Sequence, residues 1–347
     1  MTDAPTGPDR DAWLDIPALN AFLARSTDRM GPAISAALLK GGNSNPTFKV
    51  EADTGTYVLR KRPARAGVYG HSVEREFRVM SALADSGVPV PRTIVSCEDE
   101  SVLGGRFYLM DFVQGRVSDD CTLPGFAPEE RREIYRDFVS AIAHLHSVDP
   151  RAVGLEDYGK WDSGYLQRQM LRLGQAFAQE EPEDLDDMFW LIEHLPPMLP
   201  AQVETRIVHG DVRIGNTIIH ATEPRIAGLI DWELSTLGDP TVDAALLPMP
   251  HNVWPTPINS FAGLDLEAWG IPDEETMVGW YVRAASRPMD HYPVLACFNV
   301  FRSAAIYHGV QYRARHGTRV SDQAEGFGAA VRPLAARARR MAEALRS

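Results

Sequence analysis

Apolar residues recur along the chain in two rhythms. In AWLDIPALNAFLARS, Trp13, Ile16, Leu19, Phe22 and Leu23 stand at helical spacing and predict an opening helix. From Ala33 the rhythm shortens. AISAALLK reads as strand material, a Gly-Asn-Ser loop follows, and strands run through Thr47 to Glu51 and Tyr57 to Lys61 around a Thr-Gly turn. HSVEREFRVMSALADSG returns to helical spacing at Val73, Phe77, Met80 and Ala84, with Gly87 as the stop. After VPVPRTIV, the apolar run GRFYLMDFVQG predicts another strand, ending in a polar connector between Asp111 and Gly115. A boundary there divides an antiparallel N-terminal lobe, residues 1–113 with the opening helix, from a second lobe, residues 114–347.

Beyond Pro128 the helical spacing dominates. EERREIYRDFVSAIAHLHSV carries Ile134, Phe138, Ile142 and Leu145 on one stripe, and SGYLQRQMLRLGQAF carries Leu166, Met170, Leu173 and Phe177. Two further helices are expected in the tail. Within this helical lobe NTIIH and RIAGLI are the only convincing strands, joined by ATEP. The acidic run EEPEDLDDM reads as a solvated helix start.

Charge narrows the partners. Lys and Arg number 35 against 47 Asp and Glu, a net charge of −12, which disfavours nucleic acid and anionic membrane surfaces. Cys97, Cys121 and Cys297 are far apart and form no CxxC pair, so neither a disulfide framework nor a zinc site is expected. The N-terminus lacks the layout of a signal peptide, and no apolar run approaches the ~20 residues of a membrane span. The expectation is a soluble, cytoplasmic protein with no membrane partner; a homodimer is left open.

The chemistry concentrates in RIVHGDVRIGNTIIHATEPRIAGLIDWELSTLGDP, Arg206 to Pro240. If the two strands form a hairpin in which His220 pairs with Arg225, Asn216 and Asp231 share a face as diagonal neighbours roughly 7 Å apart. Two oxygen donors of that kind suit Mg²⁺ brought in on a nucleotide better than Zn²⁺. Asp211 precedes Asn216 with the D-x-x-x-x-N spacing by which a kinase catalytic loop offers a base at one end and a metal ligand at the other. Arg213 is placed to meet charge developing on a transferring phosphoryl group. His209 reads as an orienting partner inside the loop. A metallohydrolase built on His209 and Asp211 would need a second His at ligand spacing, which is missing nearby.

VHGDVRIGN and IDWELSTLGDPTVDAA resemble the aminoglycoside phosphotransferase family of kinase-like small-molecule phosphotransferases. GGNSNPTFKV, YVLRKRP, VEREFRVMSAL, VPVPR, VGLEDYG, DWELSTLGDP and FRSAAIYHGV are similar to its branch fused to some acyl-CoA dehydrogenases. The resemblance runs from about Trp13 to the C-terminus. It implies an α+β fold of the bilobal protein-kinase type, with a small antiparallel sheet and one helix in the N-lobe and a mainly α-helical C-lobe. It implies Asp211 as base, Asn216 and Asp231 as Mg²⁺ ligands, and Asp239 and Asp243 as structural residues capping and bracing the loop that follows. Gly42, Asn43 and Ser44 would meet the phosphates of ATP. Arg60 stands where related kinases carry a phosphate-binding Lys, with Glu76 its helix partner, while Lys61 would point to the other face. The connector from Met110 through Asp111 to Val113 would bond adenine, and Phe48 and Val58 fit either core or adenine wall.

The activity expected from this resemblance is ATP-dependent phosphorylation of a hydroxyl on a small-molecule acceptor, with a hydroxyacyl-CoA or related compound as the leading class. Alternatives are an antibiotic kinase and a pseudokinase that binds nucleotide without turnover; ATP against GTP is left open. Arg168, Arg172, Arg302 and Arg313 are candidate cations for a polyanionic acceptor.

Overall fold

The computed structural model describes residues 14–39, 45–63, 72–162, 164–180, 182–253, 260–316 and 324–346. The chain divides into two compact units. One takes the residues up to Arg116 together with Ala227–Ser235; the other takes Val117–Ile226 and the residues from Thr236 onward. The division expected from sequence, a single cut after residue 113, lacks the return of Ala227–Ser235. Strands gather in the first unit and helices in the second, an α+β arrangement.

The first unit opens with α1 (Ile16–Ser26), where Asp15 accepts the Ala18 N–H at 2.9 Å and caps the helix. Strands β1 (Ala33–Leu38), β2 (Thr47–Ala52) and β3 (Gly55–Lys61) follow, then α2 (Val73–Leu83), β4 (Thr93–Cys97), β5 (Phe107–Asp111) and the short β6 (Gly115–Arg116). Among the described residues β1 to β5 form one antiparallel sheet in the order β1-β2-β3-β5-β4. Alternation sends Phe48, Val50, Tyr57, Leu59, Phe107 and Leu109 into a core with Leu19, Phe22 and Leu23 of α1. Burying each such side chain stabilises by about 1.5–3 kcal/mol. The opposite parity of β3 carries Val58 and Arg60, and Arg60 stands opposite Tyr108 of β5.

Helix α2 departs from its expected stripe. Val73, Val79, Met80 and Leu83 are buried, and so is Glu76, while Phe77 and Ala84 are only half-buried. Ser72 caps its start by accepting the Arg75 N–H at 3.3 Å. A carboxylate on the inner face of a helix needs partners, and those of Glu76 belong to the candidate site.

In the second unit come α3 (Pro128–Ser147), α4 (Tyr165–Gln179), α5 (Asp186–His194), β7 (Arg206–Val208) and β8 (Thr217–His220). Strand β9 (Ile226–Leu229) carries the chain into the first unit, and β10 (Thr236–Gly238) brings it back. Helices α6 (Pro240–Ala244), α7 (Met249–Asn252), α8 (Leu266–Trp269), α9 (Glu274–Ala285), α10 (Tyr292–Arg315) and α11 (Ala324–Ala344) complete it. Ile134, Phe138, Ile142 and Leu145 of α3 are all buried, as their spacing predicted. Helix α10 buries every residue from Val294 to Phe301, the signature of a central helix, and packs on α4 and α11. Strands β7 and β10, which the hydrophobic pattern missed, pair antiparallel with Ile207 opposite Leu237. Three residues are too few to display a period of two.

Candidate active site

The residues singled out from sequence fall into two groups, one in each unit. In the second unit β7 runs into the loop His209-Gly210-Asp211, and a 3-10 turn over Ile214–Asn216 leads into β8. That turn folds the chain back, so Asn216 Nδ2 donates to Asp211 Oδ2 at 2.7 Å and to the Asp211 carbonyl at 2.9 Å. Arg213 Nε lies 3.3 Å from Asp211 Oδ2. The Asp211 side chain is 39% exposed while Asn216 is buried. The loop thus presents a reachable carboxylate from a fixed base. The Asp211 N–H donates to His209 Nδ1 at 3.3 Å, the orienting contact anticipated for that histidine. Downstream, the His220 N–H donates to the Arg225 carbonyl at 2.8 Å and closes the four-residue turn.

Behind the loop lies a buried polar network that the sequence did not announce. Asp243 Oδ2 accepts the His209 N–H at 2.7 Å, and its Oδ1 accepts the Gly210 N–H at 2.8 Å. Asp243 therefore braces a loop that precedes it, where the sequence reading had it bracing the loop that follows; Asp239 does cap α6, accepting the Thr241 N–H at 2.9 Å. His146 of α3 lies with Nε2 3.2 Å from Asp243 Oδ2 and Nδ1 2.8 Å from the Tyr281 hydroxyl. Burial alone would raise the Asp243 carboxyl; its bonds and charge pairing with His146 and His209 hold it below the ordinary range. Arg302 of α10 donates to the Gly210 carbonyl. On the same helix, burial and the Asp211 charge push the Tyr307 phenol up to about 12, with Arg213 acting against them.

The first unit collects the other group around one guanidinium. Arg60 Nη2 donates to Asp231 Oδ1 at 2.8 Å and to Glu233 Oε2 at 3.3 Å. Its Nε lies 3.2 Å from Glu76 Oε2 but off the N–H direction, so that contact is an ion pair without a hydrogen bond. Tyr108 donates to Glu76 Oε2 at 3.1 Å and Asn45 Nδ2 to Glu76 Oε1 at 3.2 Å. Three carboxylates share one cation. Burial, with Asp231 and Glu233 nearby and Arg60 opposing, pushes Glu76 up to about 7. Burial would weaken the Arg60 guanidinium's hold on its proton, but Glu76 and Asp231 more than reverse that. Asp231 has φ +66°, left-handed for a non-glycine residue, a conformation that costs free energy and gathers at functional positions.

Tyr108, Asn45 and Glu233 were not among the expected site residues. Two of them carried a signal: Asn45 closes GGNSN and Glu233 follows Asp231 in DWE. Gly42, Asn43 and Ser44 lie outside the described residues, as does Trp13. Met110 is buried in β5 opposite Val58, and the Asp111 N–H donates to the Arg92 carbonyl at 2.8 Å. The Phe112 N–H reaches the Thr56 carbonyl at 3.4 Å. Phe48 lies in the apolar core with α1, and Lys61 is buried on the parity opposite to Arg60.

The donor chemistry suits a hard cation. Asn216 turns its amide nitrogen onto Asp211 and so has its amide oxygen to offer a cation, and Asp231 gives Oδ1 to Arg60. Amide and carboxylate oxygens fit Mg²⁺. Among the described residues no cluster of three or more His, Cys, Asp or Glu could hold a metal on its own. No helix among them is long and apolar enough to cross a membrane.

A model of a phosphotransferase enzyme family, APH, matches residues 35–280. Acyl-CoA dehydrogenase family member 10 of Mus musculus is 36% identical over 299 residues, covering 85% of this chain and 28% of that protein. Member 11 of Homo sapiens is 35% identical over 330 residues, covering 92% of this chain and 42% of that protein. The chain thus spans well under half the length of these relatives. A crystal structure from Ralstonia eutropha, of a protein assigned to the aminoglycoside phosphotransferases, is 40% identical, covers 96% of this chain and 99% of its own, and superposes with a TM-score of 0.86. The streptomycin–ATP ternary complex of APH(2″)-IIa, 16% identical over 85% of this chain and 94% of its own, shares the kinase-like fold with a TM-score of 0.55. With the family model matched across most of its length, the chain belongs to the phosphotransferase enzyme family.

Proposed function

We propose that the protein is an ATP-dependent kinase that transfers the γ-phosphoryl group to a hydroxyl of a small molecule. The observation that carries this reading is the Asp211 carboxylate, held at 2.7 Å by Asn216 and 3.3 Å by Arg213 yet 39% exposed. The acceptor hydroxyl attacks the γ-phosphorus, the bond to the bridging oxygen breaks, ADP leaves, and the hydroxyl proton passes to Asp211. Arg213 stabilises charge on the phosphoryl oxygens. Arg60, held by Glu76, contacts the nucleotide phosphates, and Gly42, Asn43 and Ser44 cover them. Because the Asp111 and Phe112 amides serve the sheet, the connector meets the adenine edge through Val113. Mg²⁺, when bound through Asn216 and Asp231, would neutralise phosphate oxygens. ATP as donor is supported by likeness in fold to a phosphotransferase solved with it.

For the acceptor we favour a hydroxyacyl-CoA or a related hydroxylated acyl compound, supported by relatives named as acyl-CoA dehydrogenases. An aminoglycoside is the second reading, supported by the assignment of the 40%-identical solved protein. Cys97, Cys121 and Cys297 are free thiols, which suits a reducing cytoplasm. The test is ADP release from ATP with hydroxyacyl-CoAs and aminoglycosides assayed side by side. Turnover with the thioesters is expected. Turnover with aminoglycosides alone would select the second reading, and nucleotide binding without ADP release from any hydroxyl compound would make the chain a pseudokinase.

A further inference from the structure

Gly210 has no side chain, yet its backbone is held at both ends by residues distant in sequence. Its N–H donates to Asp243 Oδ1 at 2.8 Å, and its carbonyl accepts from Arg302 Nη2. Its φ of +82° lies in the region glycine enters without penalty, so nothing intrinsic to Gly210 keeps the chain there. The contacts around it do. Counting peptide planes, Asp243 fixes the one ending at His209 and the one ending at Gly210. The next plane joins Gly210 to Asp211; its N–H donates to His209 Nδ1 at 3.3 Å within the loop, and its carbonyl is tied to α10 by Arg302. A turn of that plane would swing the Asp211 carboxylate away from Arg213 and Asn216.

We propose that Arg302 is a positioning residue for phosphoryl transfer: by gripping the Gly210 carbonyl it sets the peptide plane from which the Asp211 side chain projects. The proposal rests on the reading of Asp211 as base. Arg302 is built for the task, because its helix buries Phe298, Phe301, Ala304 and Ala305 on either side of it and so fixes the origin of the side chain. The Arg302 charge is also felt at the Tyr165 phenol, which burial pushes up to about 12 while Arg302 and Arg172 pull it down against Asp243 and Asp239. Arg302 and Asp243 thus hold Gly210 from its two ends. Among the cations considered for a polyanionic acceptor, this one is committed to the catalytic backbone.

The two roles separate experimentally. Arg302→Met and Arg302→Lys are made in the full chain beside Asp211→Asn. Amide hydrogen exchange of the peptide over residues 206–213 is followed without ligand, and phosphoryl transfer is followed with ATP and the acceptor panel above. Arg302→Met is expected to speed exchange at Gly210 and Asp211 and to lower kcat about ten- to hundredfold, with the KM for ATP unchanged. Arg302→Lys, which can still donate one bond to the carbonyl, should recover part of both, and it carries the test if the Met variant does not fold. Unchanged exchange in Arg302→Met overturns the proposal. So does a raised acceptor KM at wild-type kcat, which would make Arg302 an acceptor contact. Full turnover in Asp211→Asn would instead refute the base reading, and the exchange result alone would then decide whether Arg302 holds the loop.

Discussion

Asn216 spends both hydrogens of its amide on one residue, donating to the Asp211 carboxylate at 2.7 Å and to the Asp211 carbonyl at 2.9 Å. The four intervening residues therefore form a closed turn, and neither end can shift without the other. The spacing joins the proposed base to the proposed ligand mechanically.

That closure sets the expected behaviour of Asp211→Asn. Loss of a general base typically costs ~10² to 10⁴ in rate, and because the base serves the acceptor hydroxyl, Mg·ATP affinity should be spared. Rapid-quench single turnovers read the chemical step directly. Near-normal phosphoryl transfer in this variant would sink the assignment.

Asp231→Ala is expected to act on the nucleotide side. Losing a partner one step removed from a metal costs about ten- to hundredfold in affinity, and losing a ligand should cost at least as much. Mg·ATP binding and turnover should fall together, measured as titrations with Mg²⁺ at fixed ATP. An unchanged magnesium requirement would remove Asp231 from the metal.

Glu76 makes the stability of the first unit depend on pH. Its carboxyl moves from 4.5 to about 7 on folding, so the folded state holds the proton more tightly. The contribution is complete below about 4.5 and is lost as pH rises through about 7. Urea midpoints should fall from pH 5 to pH 8 in the wild type and flatten in Glu76→Gln. Arg60→Met, by stranding a buried carboxylate, should cost about 3–5 kcal/mol, and adding Glu76→Gln should restore part of it. Strict additivity of the two changes would dissolve the pairing.

Long periodic segments were legible in the sequence, and so was the closure of the loop. Ile134, Phe138, Ile142 and Leu145 are buried as their spacing demanded, and Asp211 and Asn216 meet as D-x-x-x-x-N implied. What escaped is long-range. Arg302 reaches Gly210 from 92 positions away, and His146 reaches Asp243 from 97, distances over which no local pattern speaks. Glu76, named by the resemblance as the partner of Arg60, was invisible to the hydrophobic pattern alone: hydropathy assigns a carboxylate to the outer face of a helix, whereas Arg60, Tyr108 and Asn45 supply the partners that let it turn inward. The backbone of Asp231, at positive φ, is only weakly signalled by residue type, since Asp enters that region more readily than most non-glycine residues but uncommonly.

Ala227–Ser235 belongs to the first unit but is encoded between two stretches of the second. The carboxylates that neutralise Arg60 therefore travel genetically with the wrong half of the chain. Recombination that exchanges everything up to Arg116 would import an arginine from one ancestor and its Asp231 and Glu233 counterions from another. Such a chimera inherits a cation and its anions from separate lineages, so Arg60, Glu76, Asp231 and Glu233 must be handed down as one linkage group even though more than a hundred codons lie between Glu76 and Asp231.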